Sequence, residues 1–150
     1  MKILLAVDGS PPSQTAIDVV AQRPWPAATT VRILSVIQPY TPPATEFVLA
    51  GATLEAIRER QTMEADRLTK QAGEQIAAPG RLSVETAIRE GDPRTAIVDA
   101  ADEWQADLIV VGSHGRTGLK RLMLGSVAQS VVAHAHCSVE VVRHRAAPHT

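Results

Sequence analysis

Two uninterrupted apolar runs, Ile3-Leu4-Leu5-Ala6-Val7 and Leu108-Ile109-Val110-Val111, constrain the fold of this chain more than any other feature. A strand with one wet face alternates between apolar and polar residues, whereas a strand without polar positions is covered on both faces. Burial on both faces is the condition of a parallel sheet, whose long crossovers lay helices across it. The intervening stretches supply those helices. Ser10 can cap a helix and Pro11 suits its first position. Ala16, Val19 and Val20 then recur at helical spacing up to the Pro24-Trp25-Pro26 break. Val31 to Ile37 predicts a second strand. From Thr53 to Ala78 the residues Leu54, Ile57, Gln61, Ala65, Leu68, Ala72 and Ile76 form one helical stripe, with charges on the other faces. Leu82 to Arg89 predicts a third strand. Gly91-Asp92-Pro93 opens a helix with Ile97, Ala100, Ala101 and Trp104 inward. A glycine-rich loop over 112–125 follows the second apolar run, then a helix over 126–135 and a last strand, Val139 to Arg143. The polar tail over 144–150 is expected to fray.

The 150 residues fit a single domain. With one Phe, one Tyr and two Trp, the core must be built from aliphatic side chains. A formal net charge of −1 argues against general nucleic-acid binding. The one cysteine, Cys137, cannot form an intrachain disulfide and fits a reducing compartment. Ile3 to Val7 is too short for a signal-peptide core or a membrane span, so no membrane is expected and the expected location is the cytoplasm.

In open α/β sheets, ligands sit beyond the carboxyl ends of the strands, where the strand order reverses. That rule gathers Asp8, the loop after Ile37 and Gly112 on one edge. Gly112-Ser113-His114-Gly115, nine residues, then Gly125-Ser126, leaves a buried strand and enters a helix. Glycines there let backbone amides approach a phosphate chain, and the helix start offers unpaired N–H groups. Ser126 adds a hydroxyl. No Asp or Glu lies between Leu108 and Val139, while Arg116, Lys120 and Arg121 fall in the loop region. The same pattern also serves as a plain turn, and Asp8-Gly9-Ser10 is equally a common turn and helix start. It is neither a P-loop nor a Rossmann fingerprint, since the Lys-Ser/Thr pair and the close glycine spacing are missing.

The spacing Gly112-x2-Gly115-x9-Gly125-Ser126 resembles the nucleotide-binding signature of universal stress proteins. ILLAVDGS from Ile3 to Ser10, DLIVVGSHGRTG from Asp107 to Gly118 and LGSVAQSVV from Leu124 to Val132 are also similar to that family. The resemblance runs from Lys2 to Arg143. It implies a five-stranded parallel sheet of order 3-2-1-4-5 with helices on both faces, a Rossmann-like architecture of the adenine nucleotide alpha hydrolase type. It implies ATP binding, with Mg²⁺ or Mn²⁺ as an accompanying ion. Asp8 would lie near the ribose or base, and Val36 or Ile37 would offer backbone groups to the adenine. Gly112, Gly115, Gly125, Ser126 and Val127 would surround the ribose and phosphates, with Ala6, Val7 and Ser113 completing the set. Arg116 joins it on charge grounds alone. The family resemblance also implies a homodimer through Val139 to Arg143. Where many relatives continue this strand with an apolar residue, here stands Glu140, a charge in or beside the contact. The expected role is a nucleotide-dependent stress sensor or adaptor. The alternatives are a nucleotide-independent dimeric interaction module and a slow ATPase or phosphotransferase.

Other residues carry weaker signals. His134-x-His136-Cys137 has poor spacing for a tetrahedral metal site and no completing cluster. Cys137 is expected to be a small, partly buried residue, and Trp104 a packing residue. His144 and His149 fall in the tail. His114, inside the loop, is either a pH-responsive or phosphate-touching group or an ordinary loop residue. No nucleophile with its base and orienting acid is visible.

Overall fold

The computed structural model describes residues 1–44, 51–116 and 123–144. Lys120, Arg121, His149 and most of the tail lie outside the described residues. Five strands, β1 (Lys2–Ala6), β2 (Thr30–Ile37), β3 (Ser83–Glu90), β4 (Leu108–Gly112) and β5 (Ser138–Val142), alternate with four helices. The helices are α1 (Pro11–Gln22), α2 (Gly51–Ala77), α3 (Pro93–Trp104) and α4 (Ser126–His134). All strand pairs are parallel and the order is β3-β2-β1-β4-β5, as expected.

The apolar runs become the two central strands for a simple reason. Ile3, Leu5, Val31, Ile33 and Val110 point to one face, where α1 and α2 bring Ala16, Ile17, Val20, Ala72 and Ile76. Leu4, Leu34, Ile109 and Val111 point to the other, where α3 and α4 bring Ile97, Val98, Ala101, Ala128 and Val131. A strand between two helical layers has no solvent face to leave polar. β3 lies at one edge and mixes exposed with half-buried positions instead, Val84, Ala87 and Arg89 being half-buried. Val7 falls just past β1, yet its N–H still donates to the Leu34 carbonyl at 2.9 Å, so the ladder runs on toward Asp8.

Helix boundaries follow their caps. The Ser10 side chain accepts from the Ser13 N–H with Pro11 at the first helical position, and Asp92 accepts from the Arg94 N–H ahead of α3. Trp104 packs as expected: the Arg32 guanidinium stacks 4.4 Å from its ring centroid and Lys2 Nζ lies at 5.5 Å. Cys137 is half-buried, and burial pushes its thiol pKa up, away from the reactive range.

Glu140 has an intramolecular partner that the sequence did not reveal. Arg23, just past α1, donates both terminal nitrogens to its carboxylate at 2.6 and 2.7 Å and stacks on Trp25. The charge is therefore tied to the sheet face and does not project along the open edge of β5. Hydrogen bonding from Arg23 holds the Glu140 carboxyl below its ordinary range. A depressed folded-state value means that the pair stabilises above the unfolded Glu value of ~4.3 and stops doing so as pH falls through the lower one. Glu140→Gln is expected to lose up to about 1 kcal/mol at neutral pH, because the pair is partly exposed. Urea titrations of both proteins should show the gap closing below about pH 4. An equal gap in acid and at neutrality would contradict the assignment.

Candidate functional site

With β1 leading to β2 and β3 on one side and β4 leading to β5 on the other, the order reverses between β1 and β4. All four helices start at the carboxyl edge, where these strands end. A cavity of about 590 Å³ opens there. Its floor is Ala6, Val7, Leu34, Val36, Val111 and Gly112 from the three central strands. One wall is the glycine loop and the start of α4, with Gly115, Arg116, Gly125, Ser126 and Val127. The opposite wall is α2 with Arg60, Gln61, Glu64 and Leu68, and the start of α3 contributes Asp92, Pro93 and Arg94.

Eleven of the twelve residues proposed from sequence line this one cavity: Ala6, Val7, Asp8, Val36, Ile37, Gly112, Gly115, Arg116, Gly125, Ser126 and Val127. Ser113 does not. It is 2% exposed and works from beneath, donating its N–H to the Val142 carbonyl and accepting from Gly125 N–H, both at 2.8 Å. The second of these bonds ties the end of the loop back to its beginning, fixing where α4 starts.

The helix starts differ in how their N–H groups are met. α1 and α3 have side-chain caps, whereas α4 begins at Gly125 with none. A helix start without a side-chain cap, facing a cavity, is suited to anionic oxygens. In the same cavity, the Asp8 carboxylate is positioned by a tight turn: Oδ1 accepts the Ser10 N–H at 2.9 Å, and the Asp8 N–H donates to Ser13 Oγ at 3.2 Å. Oδ2 lies 3.0 Å from where a Gly115 side chain would begin. Arg116 reaches back across this edge, its Nε donating to the Asp8 carbonyl at 2.5 Å.

The glycines serve different ends. A Cβ on Gly112 would point away from the cavity, 2.9 Å from Pro12 C and Ser13 N in α1. Gly112 is thus required by helix packing as well as by its place on the cavity floor. Gly115 and Gly125 keep space for Asp8 and for the loop itself.

Sequence reasoning missed the contributions of α2 and α3. The stretch around the loop holds no acid, but the fold brings Asp8, Glu64 and Asp92 to the same cavity, so its charge is mixed. Hydrogen bonding from Arg67 lowers the Glu64 carboxyl pKa, with further help from Arg116, and Arg94 does the same for Asp92. Arg94 is thereby occupied by Asp92, with contacts of 2.6 to 3.1 Å. Only the capping role of Asp92 had a sequence signal. Among the described residues no three His, Cys, Asp or Glu side chains group as a metal site.

Fold and cavity together define a doubly wound α/β protein with an open crevice at its switch point. The model of the Universal stress protein family matches residues 1–143, and the chain belongs to that family. It is 33% identical over 148 residues to universal stress protein YxiE of Bacillus subtilis, covering 95% of this chain and 98% of that one. It is 39% identical over 94 residues to universal stress protein MJ0531 of Methanocaldococcus jannaschii, covering 63% of this chain but only 55% of that protein. Among solved structures, the protein MJ0577 superposes with a TM-score of 0.81 at 28% identity over 97% of each chain. A family member from Arabidopsis thaliana, solved with AMP bound, shares the fold with a TM-score of 0.72 at 19% identity over 97% of this chain and 93% of that one. Among the described residues no helix is long and apolar enough to cross a membrane.

Proposed function

We propose that this protein binds an adenine nucleotide, ATP foremost, in the cavity between β1, β4 and α4. On this reading it acts in the cytoplasm as a homodimeric, nucleotide-dependent stress sensor or adaptor. The observation that carries the proposal is the helix start without a side-chain cap at Gly125, held by the Ser113 carbonyl and lining one cavity together with the Asp8 carboxylate. These groups suit the parts of a nucleotide. Amides of Gly115, Ser126 and Val127 favour phosphate oxygens, while the Asp8 carboxylate suits the hydroxyls of a ribose. The apolar floor of Leu34, Val36 and Ile97 suits a flat base, and the volume falls within the ~300–1,000 Å³ of small-ligand pockets. A plant relative of the same fold was solved with AMP bound, which supports an adenine nucleotide as the class of ligand.

A divalent ion would be held chiefly by the nucleotide's own phosphates, with Asp8 the protein carboxylate nearest to them. No catalytic residue is assigned. Dimerisation is proposed through β5, the edge strand opposite β3, whose outer backbone groups are free of neighbours within the sheet.

Isothermal calorimetry with nucleotide-stripped protein tests the central element. Micromolar-range affinity for ATP is expected, with added stability of about 2.7 kcal/mol when ligand stands at about 100 times Kd. Absence of both binding heat and any melting shift at millimolar-range ATP would refute it.

A further inference from the structure

One helix is longer than the sheet it covers. The 27 residues of α2 run ~40 Å, whereas the eight residues of β2 or of β3 span ~26 Å. Burial shows where the surplus lies. From Ala65 onward the helix buries Ala65, Thr69, Ala72 and Ile76. From Thr53 to Glu64 no side chain is buried. Leu54 and Ile57 are half-buried and stand outside both apolar clusters of the core. The first half of α2 thus continues past the carboxyl edge of the sheet, and there it supplies Arg60, Gln61 and Glu64 to the cavity wall.

Two polar tethers hold this half. Gln61 Nε2 donates to the Gln38 carbonyl at 3.1 Å, and Arg58 meets Glu90 at the end of β3 with contacts of 2.8 to 3.1 Å. The side chains of that ion pair are 68% and 44% exposed, and such a pair contributes little to stability. A stretch of a dozen helical residues is marginal in water, and helices in proteins are held chiefly by a packed apolar face. Local stability follows buried contacts, so the two halves of this continuous helix differ in how readily they open.

Contacts missing from the first half can come from the cavity. Arg60 lines it and has no hydrogen bond or ion pair among the described residues. A ligand that fills the cavity touches the helix at Arg60, Gln61 and Glu64. We propose that an occupied cavity fastens the first half of α2, so that nucleotide binding is converted into the order of an exposed helix. The inference rests on the nucleotide reading above and gives that reading a structural output. Linkage makes the effect reciprocal: a change that loosens this half weakens the ligand even without touching it.

Hydrogen exchange read by mass spectrometry, with calorimetry on the same samples, tests this. Amides over 55–64, which are bonded within the helix, should exchange in the free protein at least about 100-fold faster than those over 69–76. Saturating ATP should slow exchange over 55–64 at least about 10-fold. Two glycine variants separate the halves. Ala56 is exposed and outside the cavity, so Ala56→Gly should speed exchange over 55–64 and weaken ATP about 2- to 5-fold. Glu74→Gly, at an exposed position of the second half, should lower the urea midpoint of the free protein more than Ala56→Gly does and leave ATP affinity unchanged. Equal exchange in both halves of the free protein, or ATP bound with exchange over 55–64 unaltered, would overturn the proposal and leave the nucleotide reading standing. So would an Ala56→Gly variant that exchanges faster over 55–64 yet binds ATP as tightly as wild type. Wild type that gives no binding heat refutes the nucleotide reading and this inference with it.

Discussion

Gly112→Val is expected to destabilise the fold by about 3 kcal/mol, a large share of the ~5–15 kcal/mol that holds a typical domain together. The cause lies in the backbone. A Cβ at this position would stand 2.9 Å from Pro12 C and Ser13 N, and neither atom can swing aside as a side chain does. The first turn of α1 would have to move. That turn carries Ser13, whose N–H is capped by Ser10 and whose Oγ receives the Asp8 N–H. Displacing it disturbs the α1 packing and the Asp8 turn together. Urea unfolding should show the midpoint fall sharply in the absence of any ligand. Wild-type stability in Gly112→Val would show that α1 does not approach β4 this closely.

Gly125→Val is expected to separate binding from folding. Gly125 has φ −64° and ψ 159°, which valine adopts readily, so the obstacle is space and not backbone strain. The added Cβ would lie 3.2 Å from the Ser113 carbonyl oxygen and 3.3 Å from the His114 Cα. Relief requires stretching the 2.8 Å bond from Gly125 N–H to Ser113, and that bond sets where α4 begins. Stability should drop by about 1 kcal/mol, the value of one such hydrogen bond. ATP affinity should fall at least about 100-fold, because several amides leave their places together. Calorimetry alongside melting curves separates the two effects. A variant that binds ATP like wild type would show that the start of α4 does not hold the phosphates.

The central strands were legible because burial on both faces leaves a signature in consecutive residues: Ile3 to Val7 and Leu108 to Val111 need no context to be read. Helix starts at Ser10-Pro11 and Asp92-Pro93 were legible for a similar local reason. Expected strand limits differed from the structure by a residue, since Val7 sits past β1 and Ser138 inside β5, where the ladder and not the composition decides. The strand order came from the family resemblance, as parallel strands joined through helices do not state their neighbours. Approximately half of the cavity wall was invisible because it is non-local. Arg60, Glu64 and Leu68 look like ordinary positions of an amphipathic helix until α2 is laid over the ends of β1 and β2. Arg23 and Glu140 are 117 residues apart, and no pattern in either neighbourhood announces their pairing. The glycine motif was visible as a spacing, but the spacing does not say that Gly112 faces a helix while Gly115 faces a carboxylate.

The account depends most on the corner formed by the glycine loop, the start of α4 and Asp8, and backbone amide NMR during an ATP titration observes that corner directly. The largest shifts should fall on Asp8, Gly115, Ser126 and Val127, with smaller ones along the ends of β1 and β2. Shifts confined to β5 or to the outer face of α2, or a spectrum unmoved by saturating ATP, would contradict the assignment of this cavity to a nucleotide.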